Sequence, residues 1–168
     1  MTTFYAQSYD ISATGFYFDT AEQFDAKIGT IRNDYGQPVE EFEIQFIDDK
    51  SIDAQLAEAF GINQANICQF IERCDTWRDD QKTRFIIAVG ECRYSFDPES
   101  FDPDDIEIDL YEVDSLKSLA EQFVDDGLFG DIPERISIYL DFEKIARDLS
   151  CDYSMTTVDG TTYAYCCR

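Results

Sequence analysis

Between Ser95 and Asp114 the chain reads SFDPESFDPDDIEIDLYEVD, and this stretch limits the possible folds more than any other. Nine of its residues are acidic: Asp97, Glu99, Asp102, Asp104, Asp105, Glu107, Asp109, Glu112 and Asp114. No Lys or Arg stands between Arg93 and Lys117. A run of like charge normally marks a disordered tail. Here it is threaded with Phe96, Phe101, Ile106, Ile108, Leu110, Tyr111 and Val113, which a disordered segment lacks. The stretch therefore reads as an acidic surface carried by an ordered element.

The same imbalance runs through the whole chain. Its 168 residues hold 36 acidic and 13 basic side chains, net −23. Residues 1–60 carry net −9, residues 61–93 are neutral and residues 94–168 carry net −14. Hydrophobic residues make up 44% and aromatics 15%, so a core can form. Self-repulsion of this size costs stability and adds nothing to the fold. Solubility or a halophilic origin is the plain reading of such acidity. A partner with a strongly positive surface is the sharper one, and most such surfaces hold nucleic acid. Direct binding of this chain to DNA, RNA or an anionic membrane is disfavoured by the same charge. B-form DNA carries about one charge per 1.7 Å, so −23 matches the phosphates of roughly 11–12 base pairs.

The residue inventory removes several enzyme classes. With no histidine, Ser-His-Asp and Cys-His catalysis and most zinc sites are excluded. There is no phosphate-binding P-loop and no Gly-rich dinucleotide fingerprint. The six cysteines form no C-x-x-C pair. Two carboxylate groups remain as candidates for Mg²⁺: Asp48 and Asp49 with Lys50, or Asp105, Glu107 and Asp109. An enzyme that grips DNA needs Lys and Arg around its metal, and the acidic stretch has none. A Ca²⁺ loop counted from Asp97 fails as well, since Phe101 and Asp102 stand where a ligand and a Gly are required. No metal, cofactor or catalytic residue is expected. The N-terminus shows no basic start followed by an apolar run, and no stretch is long and apolar enough to span a bilayer, so a cytoplasmic location is expected.

In chain order, 3–8 and 14–19 read as an aromatic-rich hairpin. Thr20, with Gln23 three residues on, caps a helix that stops at Gly29. Residues 41–47 alternate, with Glu41, Glu43 and Gln45 opposite Phe42, Ile44 and Phe46, as in a half-buried strand. The segment 51–90 reads as helical, with starts at Ser51, Asn63 and Asp75. Ile106, Ile108 and Leu110 alternate with Glu107, Asp109 and Tyr111, predicting a strand with one charged face. Asp114 caps a helix to about Asp125. Residues 134–149 form helix in two pieces broken near Asp141, and 152–167 a hairpin about Asp159-Gly160. The class is α+β. The expected subdomains are a β-rich one at 1–60, a helical one at 61–94 and an acidic, mixed one at 95–168.

Residues 126–149, DGLFGDIPERISIYLDFEKIARDL, resemble the ArdA family of antirestriction proteins. The matching positions are Gly127, Leu128, Gly130, Asp131, Ile132, Pro133, Tyr139, Asp141, Phe142, Ala146, Arg147, Asp148 and Leu149. TFYAQSYDISATGFYFD at the start and SMTTVDGTTYAY at the end are similar to the family's terminal regions. The resemblance implies an elongated, curved dimer of three-domain chains that mimics bent DNA and inhibits Type I restriction–modification enzymes. It also implies that Leu128–Asp141 is an antirestriction motif beside the dimer interface, making Leu128, Gly130, Asp131, Ile132, Pro133, Ile136, Tyr139, Leu140 and Asp141 its candidate residues. The carboxylates of 97–114, with Glu40, Glu41, Glu43, Asp48 and Asp49, are then the candidate DNA-mimic groups. The expected partner is a DNA-binding complex of bacterial host defence, a Type I enzyme or alternatively a CRISPR effector. The neutral middle, where the family carries excess negative charge, is the feature that admits a different target.

Overall fold

The computed structural model describes residues 2–47 and 52–168. The acidic pair Asp48 and Asp49, with Lys50 and the expected helix start Ser51, lies outside the described residues. The chain divides into two compact units, 1–104 and 105–168. This partition does not confirm a separate central piece, because helices from 61–94 contribute to the same core as residues 1–60.

The first unit is a three-stranded antiparallel sheet under four helices. Strands β1 (Phe4–Ser8), β2 (Phe16–Phe18) and β3 (Phe42–Phe46) lie in the order β2-β1-β3, with Phe4 opposite both Phe18 and Phe46. The alternation in sequence becomes alternation in burial: Phe4, Ala6, Phe18, Phe42 and Ile44 point inward, while Tyr17, Glu43 and Gln45 face solvent. Helices α1 (Ala21–Ile28), α2 (Ile52–Phe60), α3 (Ile67–Thr76) and α4 (Asp79–Phe85) complete it. Thr20 caps α1 as expected, accepting the Gln23 N–H, while the Gln23 side chain accepts the N–H of Asp19. Phe4, Phe18, Leu56, Ile67, Phe70 and Phe85 are fully buried.

Two helix boundaries differ from expectation. Asn63 receives the Ala65 N–H in a turn, and α3 begins only at Ile67. Asp75 starts no helix, for it lies within α3. The break falls at Trp77, whose extended backbone turns its ring onto Phe85, with centroids 5.2 Å apart, and Phe101, at 6.2 Å. Burying that ring outweighs continuing the helix. Beyond the break, Gln81 accepts the Arg78 N–H at the start of α4, and Ile86–Glu91 continue it as a π-helical turn. Lys82 on α4 is 6% exposed and holds Asp53 of α2 at 2.7 Å, an ion pair that locks the two helices together.

The second unit pairs β4 (Ile108–Glu112) with β6 (Thr161–Cys167), and β6 with β5 (Ser154–Val158), all antiparallel. Asp159 and Gly160 have φ of 48° and 79°, the left-handed pair that a two-residue hairpin turn requires. Helix α5 (Leu116–Asp125) is capped by Ser115, not Asp114, through the Ser118 N–H. Leu119 and Phe123 of α5 meet Ala164 of β6 in the core, with Tyr111, Leu149 and Tyr153 around them. The face of β4 that carries Asp109 and Tyr111 is therefore not the open charged face expected: both are half-buried, and the Tyr111 ring packs edge-on against Phe123 at 5.2 Å. Pro133 precedes the short α6 (Glu134–Ser137), and Asp141 caps α7 (Phe142–Leu149) by accepting the Lys144 N–H. The break expected near Asp141 is that cap.

Gly15 enters β2 where no side chain fits. A Cβ there would stand 2.2 Å from the Ala6 carbonyl oxygen and 2.8 Å from the Tyr5 ring. Gly15→Ala is expected to destabilise the first unit by about 1–3 kcal/mol, read as a lowered urea midpoint at unchanged slope.

Candidate protein-docking surface

Of the nine carboxylates between 97 and 114, all but Asp109 are exposed. Those from Asp97 to Asp104 belong to the first unit, where their backbone is pinned from both sides. From within, Phe96 packs on Phe85 at 4.8 Å and on Phe60 at 5.0 Å, and Phe101 stacks edge-on to Phe85 at 5.1 Å. Pro103 is fully buried in a 3₁₀ turn, Pro103–Asp105. From outside, polar groups close the turns. Asp97 accepts the N–H of Glu99 and the hydroxyl of Ser100, and Asp102 accepts the N–H of Asp104. The apolar residues that distinguished this run from a disordered tail are its anchors.

The basic residues of the neutral middle serve the same loop. The Arg73 guanidinium donates to the carbonyl oxygens of Pro98 and Glu99, at 3.4 and 3.1 Å, and lies over the Trp77 ring. Arg78 holds Asp80 at 3.0 Å and approaches Asp104 to 3.8 Å, while Gln81 donates to Asp104 at 2.9 Å. The Arg78 hydrogen bond, together with its charge, keeps the Asp80 carboxyl below its usual range. Lys82 is committed to Asp53. Three of the five basic side chains in 61–93 thus hold the first unit's own acidic and carbonyl groups.

In the second unit Asp109 is the exception among the mimic candidates. It is half-buried on β4 and receives the Arg168 guanidinium at 2.8 Å, so its charge is largely neutralised within the chain. Glu40, Glu41 and Glu43 are exposed in the first unit, Glu43 on the solvent face of β3. Among the described residues no three His, Cys, Asp or Glu side chains gather as a metal-holding group, so Asp105, Glu107 and Asp109 are not brought together as ligands.

A cleft of the first unit is lined by Asp19, Glu22, Glu72, Asp75, Cys68 and Cys74. Its thiols are not poised as nucleophiles. Burial, with Asp53 nearby, pushes Cys74 up to about 12, and burial followed by the charge of Asp25 raises Cys68.

The motif candidates have a different character. Leu128 is 60% exposed, Ile136 48% and Tyr139 80%, while Ile132 and Leu140 are half-buried. Gly130 has φ 84°, and Asp141 is engaged as the α7 cap, which lowers its carboxyl pKa chiefly through the Lys144 N–H. Phe129 and Ile138 are also exposed and were missed. No helix among the described residues is long and apolar enough to cross a membrane.

A family model described as antirestriction protein (ArdA) matches residues 11–164, nearly the whole chain. The chain belongs to the ArdA family. Its function is therefore antirestriction, the inhibition of restriction enzymes, and the resemblance carried by 126–149 extends over residues 11–164. No curated protein matches the sequence.

Arg73→Gln tests the clamp on the acidic loop. The core should remain folded while amide exchange of Glu99 and Phe101 accelerates roughly five-fold, the loss of about 1 kcal/mol of hydrogen bonding. Hydrogen-exchange mass spectrometry of 97–105 reads this directly.

Proposed function

We propose that this ArdA protein is a DNA mimic that occupies the DNA-binding channel of a Type I restriction–modification enzyme in the bacterial cytoplasm. The observation that carries the reading is the anchoring of Asp97–Asp104. Exposed carboxylates on a backbone held by Phe96, Phe101 and Arg73 form a fixed array of charge, as phosphates do on a duplex. A fixed array needs little ordering on binding, so more of the electrostatic attraction appears as affinity. Binding would release counterions from both partners and be steeply salt-dependent. The protein acts as an inhibitor without turnover. The neutral middle gives a CRISPR effector no special standing as target, since Arg73, Arg78 and Lys82 are engaged within their own unit.

The test is competition between this protein and labelled DNA for purified Type I enzyme. Displacement at low salt is expected, and none would sink the reading for that target. Replacing the exposed Glu99, Asp104, Asp105 and Glu107 by Asn or Gln should weaken displacement at least ten-fold and flatten its salt dependence. Unchanged potency would show that this run is only a solvated face.

The protein is also proposed to work as a homodimer joined through 128–140. Leu128, Phe129, Ile136, Ile138 and Tyr139 are exposed apolar side chains within 12 residues of one another in sequence, on a chain of net charge −23. Pairing brings the total charge to the phosphates of roughly two helical turns. Ile138→Glu with Tyr139→Glu should give monomers in analytical ultracentrifugation with an unchanged circular dichroism spectrum. A persisting dimer would place the interface elsewhere.

A further inference from the structure

The first unit carries a second group of exposed apolar side chains, away from any acidic run. Tyr9 is 65% exposed, Ile11 103% and Tyr35 82%. They sit on two turns, one joining β1 to β2 and one preceding β3. Hydrogen bonds fasten these turns together. The Asp34 N–H donates to the Ser12 carbonyl at 3.0 Å, and the Asn33 amide donates to Asp10 at 2.9 Å. The other Asp10 oxygen accepts both the N–H and the hydroxyl of Ser12, and buried Ser8 receives the Asp10 N–H. Asn33 first and Ser12 second hold the Asp10 carboxyl below its ordinary range. The result is a rigid tip that presents an isoleucine and two tyrosines to water.

Nothing in the fold needs these side chains where they are. Tyr is enriched at the centres of protein interfaces, because a rigid amphipathic ring offers much contact area at little entropic cost. The rim shows what kind of surface would cover them. Tyr9 lines a shallow groove with Asp10, Pro38, Val39, Glu40 and Glu41, and Asp34 stands exposed on the second turn. A knob of apolar groups beside an acidic groove suits a partner whose apolar hollow is bordered by Lys or Arg.

We propose that the tip formed by Tyr9, Ile11 and Tyr35 is a docking anchor for the basic face of the restriction enzyme, giving contact energy that charge imitation alone lacks. This rests on the inhibitor reading above. A second copy of the chain is a poorer occupant. Repulsion between copies of net charge −23 opposes adding a further self-contact at a patch that is itself rimmed by carboxylates. A basic partner answers both the apolar knob and its acidic rim.

The anchor and the carboxylates contribute different kinds of energy, and salt separates them. Ion pairing sets the slope of log Kd against log salt, whereas apolar burial shifts affinity without changing that slope. The triple variant Tyr9→Ser, Ile11→Ser, Tyr35→Ser alters only exposed side chains. Binding to purified Type I enzyme is measured by competition with labelled DNA at several salt concentrations, with the sedimentation mass of each variant alongside. Affinity at least ten-fold weaker, with wild-type slope and mass, is the expected result. Equal displacement by wild type and variant overturns the anchor while the inhibitor reading stands. A loss of affinity that comes with a lower mass also overturns it, because the tip would then join copies of the chain. Failure of the wild type to displace DNA removes the inhibitor reading and the anchor together.

Discussion

The acidic loop from Asp97 to Asp104 depends on a set of aromatic contacts beneath it. Phe60, Trp77, Phe85, Phe96 and Phe101 form a linked cluster with neighbouring centroids 4.8–6.2 Å apart. Without it, Asp97, Glu99, Asp102 and Asp104 would repel one another into an extended chain. With it, the repulsion is borne by a backbone that cannot move, and the charges hold their spacing. The hydrophobic effect does not weaken with added like charge, so a small aromatic cluster can hold many carboxylates in place.

The basic residues take on a meaning that a charge count misses. A sum of zero over 61–93 suggests a neutral patch. In space, Arg73 reaches two carbonyl oxygens of the acidic loop, Arg78 bridges Asp80 and Asp104, and Lys82 is buried against Asp53. Positive charge here works as internal bracing. Net charge in a segment and potential at its surface are separate quantities, because a cation joined to its own chain contributes little outside it.

Much of the fold was legible where a local rule decides the outcome. The alternation of Phe42, Ile44 and Phe46, the Thr20 cap and the Asp159-Gly160 turn each depend on neighbours in sequence. The misreadings came where distant packing decides. Trp77 breaks a helix because Phe85 and Phe101 receive its ring, and the β4 face expected to be open is covered because Phe123 and Tyr153 pack on Tyr111. Candidate site residues divide the same way. That the carboxylates face water follows from their chemistry. That Asp109 is paired does not, since its partner Arg168 is 59 residues away. The exposure of Phe129, Ile138 and Ile11 was hidden for a related reason: a large apolar residue reads as core until the folded core proves too small to take it.

The Lys82–Asp53 pair has a consequence for how this protein responds to its medium. Being nearly shut off from solvent, it is hardly screened by dissolved ions. The surface carboxylates are fully open to screening, which relieves their mutual repulsion. Rising ionic strength therefore firms the folded chain, while under the proposed mimicry it would weaken the chain's grip on a basic partner. Toughness and potency run in opposite directions along one variable. If it acts as proposed, a brine that best preserves this molecule in storage would be the medium in which it is least able to act.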